Sequence, residues 1–199
     1  METNCRCTLI TLAVLARALL ALPAFAAETG TLYPEGTIDK QALEKILPVG
    51  SDLKNAPEGK SPTFLVAALK DPIGANLDRY QIVKGWLDSK GKLQEKVYDV
   101  VWSGDRKPGK DGKLPAVGNT VDVKEATWTN TFGAPELIAV WKDPDFSPDQ
   151  KAFYYGRVIE IPTPRWTAYD AKYFDLKLPD EVSMTTQERA YTSPIWYTP

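Results

Sequence analysis

Tyr80-Gln81-Ile82-Val83-Lys84-Gly85-Trp86-Leu87, the polar segment Asp88-Ser89-Lys90-Gly91-Lys92, and the return from Leu93 to Trp102 decide the fold class. Tyr80, Ile82, Lys84 and Trp86 alternate with Gln81, Val83, Gly85 and Leu87, which is the two-residue period of a strand. Gly91 can adopt the positive φ that a tight reversal needs. Together these signals predict a β-hairpin.

Outward from the hairpin the same character persists. Phe64 to Leu69 is a short apolar run ended by Asp71-Pro72, as expected of a buried strand. Residues 103–119 carry Gly104, Pro108, Gly109, Gly112, Pro115 and Gly118 and read as a long loop. Short strands are expected at 121–123, 126–131 and 137–141. Asp143-Pro144-Asp145 and Ser147-Pro148 make a turn before the strongest strand, Ala152 to Ile161, which Pro162 and Pro164 end. Thr167 is placed as the cap of a short helix with Tyr169, Tyr173 and Leu176 on one face and Asp170 at its third position. The last strand, 189–197, carries Pro194 and belongs at an edge or a bulge. The expected fold is mainly β: an antiparallel β-sandwich-like, immunoglobulin-like domain with long loops and one or two short helices.

The N-terminus reads differently. Leu9 to Leu22 is apolar but too short to span a bilayer, and Pro23 and Ala24-Phe25-Ala26 follow. This is the layout of a secretory signal peptide over residues 1–26, cut after Ala26 or Ala27; a buried or membrane-anchoring helix is the alternative. Residues 27–62 read as a linker with a short helix, in which Thr37 caps Ile38, Ala42, Leu43 and Ile46, and 63–199 as the β-rich domain. Export to the periplasm or beyond is expected, with no membrane association after cleavage.

The 199 residues contain no histidine, and both cysteines, Cys5 and Cys7, lie in the leader. The usual triad base, thiol nucleophiles and ordinary zinc ligands are therefore missing from the rest of the chain. A formal net charge of −2 gives no sign of a nucleic-acid partner. Asp143 with Asp145, and the loop from Asp105 to Gly112, are the best groupings for a hard cation. Neither has EF-hand spacing, and aspartates bonding their own turns explain both better. Glu160, Asp170, Glu181 and Glu188 are available for paired-carboxylate chemistry, but spacing alone pairs none of them. No cofactor, metal site or catalytic residue is expected from these patterns.

Aromatic density is the more informative signal. Arg165, Trp166, Tyr169 and Asp170 cluster, and Trp196 neighbours Tyr191 and Tyr197. Such rings on a β-sandwich stack on sugars or, more commonly, fill the core between sheets. Arg165 beside Trp166 fits a cation–π or ion-pair fixture at the Pro-rich corner.

Phe153-Tyr154-Tyr155-Gly156-Arg157-Val158-Ile159-Glu160-Ile161-Pro162, continuing through Thr163-Pro164-Arg165-Trp166-Thr167-Ala168-Tyr169-Asp170-Ala171, resembles the C-terminal end of the secreted bacterial family known as domain of unknown function 3604. Gln187 to Tyr197, Leu47 to Leu53, Gln81 to Asp88 and Val97 to Pro108 match in order, so the resemblance covers about residues 47–199. It implies relatives that are longer and look like metal-dependent hydrolases of the polymerase-and-histidinol-phosphatase type. Their presumed site surrounds a His-x-His motif that this chain does not contain. The resemblance therefore implies an exported accessory or interaction module without its own catalytic metal centre. The alternatives are a carbohydrate-binding sandwich using Trp166, Tyr169 and Trp196, and a fragment or subunit of such a hydrolase. The implied partners are a separate histidine-containing hydrolase part or a polysaccharide.

Overall fold

The computed structural model describes Ala13–Leu15 and residues 46–199. In chain order the strands are β1 (Ala13–Leu15), β2 (Ile46–Pro48), β3 (Asp52–Lys54), β4 (Thr63–Leu69), β5 (Leu77–Leu87) and β6 (Leu93–Trp102). They continue with β7 (Glu136–Lys142), β8 (Ala152–Glu160) and β9 (Thr163–Pro164). After helix α1 (Trp166–Tyr173) come β10 (Thr185–Thr186), β11 (Arg189–Tyr191) and β12 (Ile195–Thr198). The protein is mainly β, with several antiparallel sheets and one short helix, as expected at that level. Immunoglobulin-like topology is a finer claim that this strand order does not make.

One sheet runs β2-β1-β4-β7, and the larger runs β3-β12-β8-β5-β6, with β11 also paired to β8. The hairpin forms as read: β5 pairs with β6 from Arg79 opposite Trp102 to Leu87 opposite Leu93, with a bulge after Tyr80. Its turn is closed by Gly91 at φ 72° and by Asp88 Oδ1, which accepts the backbone N–H groups of Lys90 and Lys92 at 2.9 Å each. β8 is the spine of the large sheet. It pairs with β5 on one side and with β11 and β12 in succession on the other.

The two large sheets share one apolar core. Phe64 and Val66 from β4 meet Tyr80, Ile82, Tyr154 and Ile195 of the larger sheet. Phe64 wedges between Trp141 at 5.6 Å and Tyr154 at 4.8 Å between ring centroids. Burying a side chain of this size contributes roughly 1.5–3 kcal/mol. Gly156 leaves room on this face for Tyr80, whose ring and hydroxyl stand where a Cβ would be.

A polar cluster is set into the same interior. Lys84, 2% exposed, donates to Asp143 Oδ2 at 2.6 Å and to the Asp145 carbonyl at 2.7 Å. The Tyr154 hydroxyl donates to the same Asp143 oxygen at 2.7 Å, and the Asp145 backbone N–H donates to Asp143 Oδ1 at 2.9 Å. Lys84 stands on β5 and Asp143 directly follows β7, so the pair joins the sheets.

Several expectations need correction. Residues 121–131 form no strands. Asp122 and Thr127 exchange both backbone bonds as an isolated bridge, and Ala126 between them sits at φ 50°. Helix α1 begins at Trp166 with Arg165 as its cap residue, and the Thr167 hydroxyl donates to the Ser183 carbonyl at 2.6 Å instead of capping. The last strand is interrupted at Thr192-Ser193-Pro194, where proline has no N–H for the ladder and its carbonyl accepts Gly50 N–H. β3 lies within the stretch read as linker, pairs parallel with β12 and places Leu53 in the core. The helix expected after Thr37 lies outside the described residues up to residue 45, and Ile46, placed on that helix, instead begins β2.

Two stability tests follow from the interior. Lys84→Met strands the Asp143 carboxylate and should destabilise the fold by about 3–5 kcal/mol in urea unfolding, and Lys84→Met with Asp143→Leu should recover part of that loss. Equal or greater loss in the double variant would show that the pair does not act as a unit. The Tyr80 hydroxyl has no hydrogen-bond partner among the described residues, and burial pushes it above its ordinary titration range. Tyr80→Phe should therefore keep or raise stability, by up to about 1 kcal/mol.

Candidate binding face and polar cleft

Alternation along β8 turns Ala152, Tyr154, Gly156 and Val158 inward, and Phe153, Tyr155 and Arg157 toward solvent. Register then decides which residues join them. Trp196 stands opposite Phe153, and Tyr191 stands opposite Arg157. The rings form a continuous strip: Trp196 to Phe153 is 5.2 Å, Phe153 to Tyr155 is 6.4 Å with planes 8° apart, and Tyr155 to Tyr191 is 6.2 Å.

The strip rests on a prepared floor. Gly85 is the cross-strand partner of Phe153, and a Cβ there would overlap the Phe153 ring. The ring therefore lies across β5. Val83, opposite Tyr155 on the same face, is 1% exposed, as expected beneath rings laid over it. Trp196 and Tyr191 remain 51% and 54% exposed.

Beyond Tyr155 the face becomes polar. Arg157 Nε donates to Gln81 Oε1 at 2.7 Å, and Gln81 Nε2 donates to Asp99 Oδ1 at 2.7 Å. Arg79 bridges Asp99 at 3.5 Å and Asp78 at 3.0 Å, and buried Asp78 also holds Arg106 at 2.6 Å. These side chains are tied to one another across three strands. Arg189 shares the solvent side of β11 with Tyr191, and it also lines a cleft of about 570 Å³ with Asn119, Thr185, Thr186, Gln187 and Glu188. The aromatic strip therefore leads into a polar cleft.

The residues singled out from sequence divide between two places. Trp196 lies in the strip. Arg165 and Trp166 form a cation–π contact at 5.8 Å, and with Tyr169 and Asp170 they belong to the start of α1 and its cap. Trp166 is 63% exposed and Tyr169 is also exposed, so neither fills the core. Among the described residues no ring contact joins Trp196 to the helix. Tyr197, by contrast, is a core residue: its hydroxyl donates to the Pro148 carbonyl at 2.8 Å and its ring meets Phe146 edge-on at 4.9 Å. Tyr191 is named from sequence only as a neighbour of Trp196, and Phe153 and Tyr155 are not singled out there as ligand contacts. The period-two pattern separates Phe153 and Tyr155 from Tyr154, but it does not say which side faces water.

Asp143, Asp145 and Asp111, from the two groupings considered for a cation, have structural partners. Asp143 belongs to the interior cluster, and Asp145 accepts hydrogen bonds from Lys96 and from the Tyr98 hydroxyl, the latter at 2.8 Å. Asp111 accepts Lys113 N–H at 3.1 Å in its own turn. Among the described residues no three His, Cys, Asp or Glu side chains are grouped to hold a metal ion. Burial, with help from Asp143, raises the Tyr154 hydroxyl far above its ordinary range, so it stays a proton donor to that carboxylate.

Fold and face together define a mainly β protein whose larger sheet presents a solvent-facing aromatic strip. The chain belongs to the family described as protein of unknown function (DUF3604), whose model matches residues 28–199. The match begins N-terminal to residue 47, where the motifs quoted from the sequence begin. No curated protein and no solved structure matches the chain.

The hydrogen bond from Lys96, followed by that from Tyr98, holds the Asp145 carboxyl below the usual carboxylate range. A lowered folded-state value stabilises the fold above the ordinary carboxylate range, and that contribution is lost as pH falls toward the lowered value. Asp145→Asn should therefore flatten the acid limb of stability against pH, slightly because the pair is half exposed. Unfolding midpoints measured from neutral to acid pH check this; an unchanged acid limb would contradict it.

Proposed function

We infer that the chain is an exported accessory module, without a catalytic metal centre of its own, that works by binding through the solvent-facing strip. The observation that carries this reading is the strip itself. Four aromatic rings in sequence lie on the outer side of a sheet whose other side packs the core. Large exposed apolar surfaces on soluble proteins are commonly contact sites. Composition supports the non-catalytic part, because the chain has no imidazole and its best acidic pair is engaged by Lys84 and Lys96.

Export bears on the smaller sheet. β1 comes from the segment with leader character and pairs antiparallel with both β2 and β4. Cleavage after Ala26 or Ala27 removes those pairs, while the ladder between β4 and β7, from Thr63 opposite Lys142 to Leu69 opposite Glu136, remains. The export reading expects the chain, expressed in a bacterium with a periplasm, to be recovered there with a new N-terminus at residue 27 or 28. It also expects residues 27–199 to unfold cooperatively. An unprocessed cytoplasmic product, or a leaderless chain that does not fold, would contradict it.

A further inference from the structure

We propose that the outer face binds a neutral polysaccharide, whose sugar rings stack along Trp196, Phe153, Tyr155 and Tyr191 and whose hydroxyls reach the cleft beside Arg189. The proposal rests on the reading of this face as the binding surface and adds the chemical class of its ligand.

Three observations select a glycan. First, the rings are fixed before any ligand arrives. Phe153 is seated over Gly85, the Tyr155 ring is parallel to it to within 8°, and both stand on the strand paired on both sides. Rings already held in place lose little freedom on binding. A sugar ring offers an apolar C–H face that suits such a surface, and tryptophan and tyrosine combine an apolar body with a polar tip.

Second, the strip runs into a polar cleft, where a protein-docking face would be expected to reach an apolar centre. Asn119, Thr185 and Thr186 offer amide and hydroxyl groups that both donate and accept. Gln187, whose amide N–H groups are donated to Asp78 and to the Glu160 carbonyl, adds only an acceptor, and Glu188 and Arg189 add opposite charges. Such a lining complements a ligand rich in hydroxyls and carrying no net charge.

Third, the charges do not favour a polyanion. The protein carries a net charge of −2, and Arg157 and Arg79 on this face are engaged by Gln81 and Asp99. The phosphate neutralisation that drives nucleic-acid binding is therefore poorly supplied here.

The test uses the full chain in affinity electrophoresis and calorimetry against mixed-linkage β-glucan, xyloglucan, galactomannan and soluble starch, with alginate and heparin as anionic comparators. At least one neutral polysaccharide should bind. Trp196→Ala and Tyr191→Ala should each weaken that binding by about tenfold or more, the loss expected of a central contact. Asn119→Ala should weaken it less, and Trp166→Ala on the helix should leave it unchanged. Trp196 and Tyr191 are about half exposed, so unfolding midpoints close to the parent's should accompany the loss. If no neutral polysaccharide binds, or if only alginate or heparin binds, the ligand class is overturned while the face reading stands. If a polysaccharide binds but Trp166→Ala abolishes binding and Trp196→Ala does not, the face itself is overturned.

Discussion

The buried contact between Lys84 and Asp143 is the constraint on which the rest of the structure depends. An ammonium and a carboxylate taken out of water lose hydration worth several kcal/mol each, and only close, fully bonded partners offset that loss. Those partners are present. Both Asp143 oxygens are bonded, one by Lys84 and Tyr154 and the other by the Asp145 backbone. Lys84 spends a second proton on the Asp145 carbonyl and lies against the Trp86 and Tyr154 rings, at 5.4 and 5.7 Å from their centroids. Apolar packing tolerates small slips between two sheets, whereas a charge-assisted cluster of this kind accepts few alternative arrangements.

That fixed relation carries through to the outer surface. β5 and β8 each turn one side to the core and one to solvent, and each contains a glycine where a neighbouring ring must come close. Gly156 admits Tyr80 on the inner side, and Gly85 admits Phe153 on the outer side. The inner fit sets how the strands lie against the core, and the outer fit sets how the aromatic strip lies across the strands. A face arranged in this way is positioned by the fold.

Where local chemistry decides structure, the sequence was readable. The hairpin at 77–102 and the strand at 152–160 follow from period-two alternation and a turn with Gly91. The stretch from 121 to 131 misled because its β-branched residues suit a strand, while Ala126 at positive φ and bonds between Thr120 and Thr129 turn the chain back on itself. Pro194 announced an irregularity, but not that the two halves flanking it would both pair with β8. The face was only partly legible. Trp196 stood out as a tryptophan among tyrosines, yet its neighbours Phe153 and Tyr155 are distant in the chain and are brought to it by register. Lys84 and Asp143 were unreadable as a pair for the same reason, being 59 residues apart.

Hydroxyl-radical footprinting of the full chain, with and without a bound polysaccharide, tests the account most directly because it reads each aromatic side chain separately. The account predicts that oxidation of Trp196, Tyr191 and Tyr155 falls on binding, while Trp166 and Tyr173 on α1 react as before. Protection confined to Trp166, Tyr169 and Tyr173, with Trp196 and Tyr191 unchanged, would contradict it.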